Sequence, residues 1–177
     1  RLRDSGRDLR IFITEGRPFM DGARVASWEL RQAGLDHKVI ADSAVAWLLA
    51  REVIDVVLIG AEWIAANGDV GAVVGSRAVA QQAAAARAEG GPLVVMSGTR
   101  ATIDLGVPTG ADIPAELRPA RDLSAYLADV PIRASDALVP AADVVPADLI
   151  DALVTERGAT ADPGPESVAT LAEGSNA

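Results

Sequence analysis

Asp55-Val56-Val57-Leu58-Ile59 runs directly into Gly60-Ala61-Glu62-Trp63-Ile64-Ala65-Ala66-Asn67-Gly68-Asp69. After Asp55 the next four residues are aliphatic and mostly β-branched with no polar face, as in a strand of a parallel sheet buried on both sides. The next ten, Trp63 and Ile64 apart, are small, turn-forming or acidic, as at the carboxyl end of such a strand. Three further runs repeat the pattern: Ile11-Phe12-Ile13-Thr14, His37-Lys38-Val39-Ile40 and Pro92-Leu93-Val94-Val95-Met96. Between the runs lie segments with helical spacing. One runs from about Gly22 to Gln32 and stops at Gly34, one from Ser43 to Arg51, and one from about Val74 to Glu89. Strand and helix alternating at short spacing predict an α/β fold with a parallel sheet and right-handed crossovers. Pro146 to Val154 reads as a further helix with proline in its first turn. Beyond Gly158 the composition turns to Ala, Thr, Pro, Gly, Glu and Ser, so 159–177 is expected to be a flexible tail following a domain at 1–158.

Composition narrows the function. The 177 residues carry 16 Lys plus Arg against 25 Asp plus Glu, a net charge of −9. Such a balance disfavours a nucleic-acid backbone or an anionic membrane surface as partner. Half the residues are hydrophobic but only 3% aromatic, so the core is aliphatic. A chain of this length buries roughly 70% of the surface that it exposes when unfolded. There is no cysteine, which excludes disulfides, thiolate metal sites and a cysteine nucleophile within these residues. One histidine, His37, opens a strand, where it reads as packed or solvated. A metal site built on histidine or cysteine is excluded by count. No run approaches the roughly 18 apolar residues of a membrane span, and no leader precedes the first strand. A soluble, cytoplasmic domain is the expectation. The opening Arg1-Leu2-Arg3 has no initiator Met and reads as a start in mid-sequence, with an upstream part to be accounted for.

In an open parallel sheet, ligands bind beyond the carboxyl ends of the strands. Those ends hold Glu15-Gly16-Arg17-Pro18, Ala41-Asp42-Ser43, Glu62 with its loop, and Ser97-Gly98-Thr99-Arg100. Gathered carboxylates suit proton transfer to a polyol, and the Ser-Gly-Thr-Arg turn suits an anion. Asp42 reads rather as a helix N-cap, while Asn67-Gly68 also reads as a simple turn and Glu15 as an ion-pair partner of Arg17 or Arg24. Neither a dinucleotide fingerprint nor a P-loop is present, and no cofactor is expected.

Several motifs then resemble one family, in order along the chain. Glu15-Gly16-Arg17-Pro18, Gly22-Ala23-Arg24 and Trp28-Glu29-Leu30 are similar to its Glu-Thr-Arg-Pro, Gln-Gly-Ala-Arg and Trp-Glu-Leu. Gly60-Ala61-Glu62-Trp63-Ile64-Ala65-Ala66-Asn67-Gly68-Asp69 is similar to its Gly-Ala-Asp-Arg-Ile-Ala-Ala-Asn-Gly-Asp. Thr102-Ile103-Asp104, Thr109-Gly110-Ala111-Asp112-Ile113-Pro114, Pro140-Ala141, Asp143-Val144 and Thr155-Glu156-Arg157-Gly158 continue the series. The family is that of 5-methylthioribose-1-phosphate isomerase, ribose-1,5-bisphosphate isomerase and the regulatory subunits of the initiation factor 2 exchange factor.

The resemblance implies a Rossmann-like parallel sheet flanked by helices, usually dimeric, with an aldose–ketose isomerase site at the strand ends. It places Glu62 at the family's catalytic Asp, and Asp21, Arg24, Asn67, Asp69, Ala72 and Val73 at or beside its substrate-binding positions. The departures carry information. Glu62 is one methylene longer than Asp, Trp63 replaces Arg, Asp21 replaces Gln, and Ala72-Val73 replace an Asn-Lys pair. Val139 replaces the Asn before Pro-Ala, and the family's catalytic Cys belongs to a preceding half. Two expectations follow beside the plainest one, an excised α/β domain that retains only its fold and oligomer contacts. One is a divergent isomerase of the sugar-phosphate family with Glu62 as acid/base, acting on an altered substrate, less anionic or even cationic, its site completed by an upstream half or partner chain. The other is a non-catalytic regulatory or scaffolding subunit that dimerises and binds a sugar phosphate or nucleotide. In either case a homodimer or heteromer is expected.

Overall fold

The computed structural model describes residues 9–87, 90–114, 116–126 and 132–173. The four expected strands are present, two of them shifted by one residue: β1 (Ile11–Thr14), β2 (His37–Ile40), β3 (Val56–Gly60) and, after two further strands, β6 (Leu93–Ser97). The expected crossovers are α1 (Ser27–Gln32), entered through a π-helical stretch at Gly22–Ala26, then α2 (Val45–Leu49) and α3 (Ser76–Ala86). The sequence expectation for α3 extended to residue 89; residues 88 and 89 lie outside the described residues. Between β3 and α3 the chain inserts a hairpin, β4 (Trp63–Ala65) and β5 (Val70–Val73). β7 (Ile103–Asp104), α4 (Arg121–Ser124), β8 (Ala142–Val145), β9 (Ala152–Thr155), β10 (Gly158–Ala161) and α5 (Pro165–Glu173) complete the order.

The strands make three sheets. β1 and β2 pair in parallel, and β3, β6 and β9 form a parallel ladder with β10 antiparallel on its edge. A smaller mixed sheet has the order β7-β4-β5-β8. The α/β class therefore holds, with antiparallel additions that the runs alone did not announce.

The core lies between the β3-β6-β9 ladder, α3 and α5. Val94, Met96 and Leu153 meet Ala80 and Ala83 of α3 and Val168, Leu171 and Ala172 of α5. Alanines on the buried stripe of α3 let its backbone come close to the strands, so an aliphatic core packs without large side chains from this helix.

Two expectations fail here. Pro146 to Val154 is not a helix: Ala147–Leu149 is a single 3-10 turn, and Ala152–Thr155 is β9. The Asp151 carboxylate draws this stretch alongside β6 by accepting from the Val94 N–H (2.7 Å) and from Arg87 (2.6 Å), while Asp151 N–H donates to the Val94 carbonyl. Leu153 and Thr155 are then buried with the period of a strand. Residues 159–173, expected to be tail, form β10 and α5. Three apolar side chains at i, i+3 and i+4 (Val168, Leu171, Ala172) are enough to seat α5. Residues 174–177 lie outside the described residues.

The loop after β1 depends on one glycine. A Cβ on Gly22 would stand 1.8 Å from the Thr14 carbonyl oxygen, a contact between two backbone segments with no side chain to move aside. Gly22→Ala is expected to destabilise the fold by about 3 kcal/mol. An unchanged urea midpoint would refute the close approach.

Candidate functional site

Glu62 stands just beyond the carboxyl end of β3, held by the backbone on both sides. Ala61 N–H donates to the Ser97 carbonyl (2.7 Å), and Glu62 N–H donates to the Gly71 carbonyl (2.8 Å). The chain then turns back as the β4–β5 hairpin, with Gly68 at φ 91° supplying the left-handed turn. Beside this hairpin is a cavity of about 340 Å³ lined by Glu62, Trp63, Thr102, Ile103 and Asp104. Two carboxylates share its wall. That of Glu62 is exposed and, among the described residues, makes no hydrogen bond or ion pair, while that of Asp104 accepts from the Gly106 N–H. Asp104 reaches the cavity because β7 pairs with β4, with Ala65 opposite Asp104. Its motif was visible in the sequence, but a two-residue strand leaves no periodicity from which to place it beside Glu62.

Asn67 and Asp69 form the brace of the hairpin. Asn67 Nδ2 donates to Asp69 Oδ2 (2.8 Å), and Asp69 N–H returns a bond to Asn67 Oδ1. Gly110 N–H also reaches Asp69 Oδ2, and Ala147 N–H reaches Oδ1, each at 2.9 Å. Burial alone would raise the Asp69 pKa. The bonds from Asn67, Ala147 and Gly110 outweigh it and hold the carboxyl below its ordinary 3.8. Ala72 and Val73 follow in β5, opposite Asp143 and Ala142 of β8. Ala72 is in the core and Val73 is half-buried.

Asp21 and Arg24 lie on the other side of the strand ends, at the start of the helical stretch after β1. Asp42 fixes this loop: its two carboxylate oxygens accept from Gly16 N–H (2.8 Å) and Arg17 N–H (2.6 Å). The N-cap expected of Asp42 is not formed, because the loop amides across the strand ends take both its oxygens. Glu15 makes no ion pair with Arg17 or Arg24 among the described residues. Arg24 donates to the Tyr126 hydroxyl and lies over the same ring at 5.2 Å. It lines a second cavity of about 200 Å³ with Phe19, Arg118, Asp122 and Tyr126. Thus Glu62 and Arg24 line different cavities, and Asp21 lines neither.

The turn after β6, expected to hold an anion, is already satisfied from within. Gly98 N–H donates to Val154, Thr99 N–H to Thr102 Oγ1, and Arg100 N–H to the Glu156 carboxylate at 2.9 and 3.2 Å. The Glu156 pKa is lowered by this bond from Arg100. The amides that could greet a phosphate hold a carboxylate of the chain instead. His37 packs as expected: in the neutral ring Nδ1–H donates to the Leu35 carbonyl (3.1 Å), leaving Nε2 to accept from Ser27 Oγ (2.8 Å). Among the described residues no cluster of three or more His, Asp or Glu is placed to hold a metal, and no helix is long and apolar enough to cross a membrane.

Residues 1–162 match the initiation factor 2 subunit family. The chain is 43% identical over 175 residues to the methylthioribose-1-phosphate isomerase of Anaeromyxobacter sp. (strain K), covering 96% of this chain and 49% of that protein. The enzyme of the same name from Herpetosiphon aurantiacus is 36% identical over 178 residues, with 99% and 49% covered. In structure the chain resembles 5-methylthioribose 1-phosphate isomerase from Pyrococcus horikoshii OT3, with TM-score 0.84 and 29% identity over 97% of this chain and 47% of that one. It also resembles subunit delta of translation initiation factor eIF-2B from A. fulgidus, with TM-score 0.80 and 27% identity over 94% and 48%. The chain spans about half the length of the curated relatives it matches.

Proposed function

The chain belongs to the initiation factor 2 subunit family, and on that premise we propose that it supplies the Glu62-bearing half of a divergent sugar-phosphate aldose–ketose isomerase. The observation that carries this reading is the exposed, unpaired Glu62 carboxylate on a cavity of about 340 Å³, a volume within the ordinary range of small-ligand sites. Aldose–ketose isomerisation moves hydrogen between C1 and C2 of the opened sugar. It needs a group that takes a proton at one position and returns it at its neighbour. A carboxylate free of internal partners is available for that work. Asp104 on the same wall is a candidate second acceptor for a sugar hydroxyl, and Arg24, on the second cavity, a candidate cation.

The substitutions bear on the substrate. With Ala72 in the core and Val73 beside it, this stretch offers neither a side-chain amide nor a cation, and Asp21 adds a negative charge where the resemblance implies a substrate-binding Gln. A sugar phosphate whose negative charge is offset by a cationic substituent fits these residues better than 5-methylthioribose 1-phosphate. The remaining substrate contacts come from an upstream half or partner chain, in a homodimer or heteromer that works in the cytoplasm. A regulatory subunit without catalysis is the second reading, favoured by the likeness to the exchange-factor subunit.

Phosphorus and proton NMR of a polypeptide carrying this chain, with the family's other half present, tests the proposal on 5-methylthioribose 1-phosphate and on amino-substituted ribose 1-phosphates. Conversion of one of them to its ketose is expected. No turnover of any aldose 1-phosphate would reject it in favour of the regulatory reading.

A further inference from the structure

The aliphatic strands stop short of forming one sheet. Among the described residues β1 is paired only with β2, and β3 only with β6, so each leaves one edge of backbone N–H and C=O groups without a ladder. Both strands start at the same end of the molecule. There the Arg10 guanidinium, just before β1, donates to Glu52 Oε2 (2.8 Å) and to the Val53 carbonyl (3.3 Å), just before β3. An extended arginine with its hydrogen bond spans about two strand spacings of roughly 4.8 Å each, the width of a slot for one strand.

The side chains agree with the backbone. Val57 and Ile59 pack against the core, yet Val56 and Leu58, on the other face of the same strand, are 49% and 69% exposed. Leu93, the neighbour of Val56 across the ladder, is 54% exposed. No residue of β1 is fully buried. Exposed edges are ordinarily guarded by a charge, a proline or a bulge, and neither Ile11–Thr14 nor Val56–Gly60 carries a charge or a proline.

We propose that the slot between β1 and β3 receives one extended aliphatic strand, parallel to both, from the half of the family's polypeptide that lies outside this chain. The curated relatives supply the occupant: the match covers only 49% of their length, so as much chain again is available to fill it. A strand central to a parallel sheet is apolar on both faces, so the segment is uncharged and rich in Val, Ile and Leu. Its carboxyl end would emerge between the Gly16 loop and Glu62. The proposal rests on the reading above only in assuming that a second half exists.

The test co-expresses the 177-residue chain with the remaining N-terminal half of the Anaeromyxobacter sp. (strain K) isomerase and follows hydrogen exchange. A one-to-one complex is expected, with slot-facing amides in 11–14 and 56–60 slowed by about tenfold or more. Leu58→Asp is expected to abolish the complex while leaving the circular dichroism and melting temperature of the isolated chain unchanged, because that side chain already faces solvent. Absence of a complex, a complex that leaves those amides unprotected, or their protection by self-association of the chain alone would each overturn the proposal. A protected complex with no isomerase turnover would uphold the strand and reject the enzyme, whereas turnover without protection would do the reverse.

Discussion

Glu62→Gln is expected to lower the kcat of isomerisation by about 100- to 10,000-fold, with KM changed far less, in a polypeptide carrying this chain with its other half. The amide has nearly the shape of the carboxylate and still hydrogen-bonds a sugar hydroxyl, but it cannot accept a proton near neutral pH. Among the described residues nothing else depends on this carboxylate. It has no internal partner among the described residues, and only its backbone is used, through the Glu62 N–H to the Gly71 carbonyl. Folding should therefore be unaffected, which separates a chemical from a structural role. Glu62→Asp is the complementary variant. It restores the side chain of the related motif, and its activity reports whether the additional methylene serves the altered substrate. Undiminished turnover in Glu62→Gln would remove Glu62 from the mechanism.

Asp69→Ala is expected to have the opposite signature, a large loss of stability. The backbone N–H groups of Gly110 and Ala147 would lose their acceptor in a half-buried place, and Asn67 Nδ2 would lose its partner. Each of the three orphaned groups costs on the order of 1–3 kcal/mol, and in a half-buried place the low end applies, so the total is about 3–5 kcal/mol, a large part of the net stability of a typical domain. The pH dependence has a definite sign. The folded-state pKa lies below the ordinary 3.8, so the carboxylate contributes in full above that value, and the contribution is lost as pH falls through the lower folded pKa. Urea unfolding between about pH 2 and 6 should show wild type and variant far apart at the upper end and converging at the lower. A constant gap across that range would mean that Asp69 acts through packing rather than charge.

These two carboxylates, seven residues apart on one hairpin, show what separates a brace from a reactive group. In the sequence both are acidic residues in the same loop after an aliphatic run. The structure commits one to three internal donors and leaves the other facing a cavity. The same distinction divides the remaining expectations. Asp42 was legible as a residue that anchors something, but its partners, Gly16 and Arg17, are 26 and 25 residues away and only the β1–β2 pairing brings them near. The anion-binding look of Ser97–Arg100 was sound chemistry, and the anion proved to be Glu156.

The sequence by itself determined the α/β class, the positions of β1, β2, β3 and β6 to within one residue, the family, and Glu62 as the residue to watch. All of these are local, written in runs of aliphatic side chains and in motifs of adjacent residues. Tertiary structure alone decided that residues 152–155 are a strand, because Asp151 bonds across to Val94 and Arg87. It alone decided that 158–173 is seated on the core and that Asp104 shares a cavity with Glu62. It also decided that β1 and β3 stand apart, each with an open edge. Which backbone groups pair, and which carboxylates stay free, depends on segments far apart in the chain meeting in space, and no window of neighbouring residues contains that.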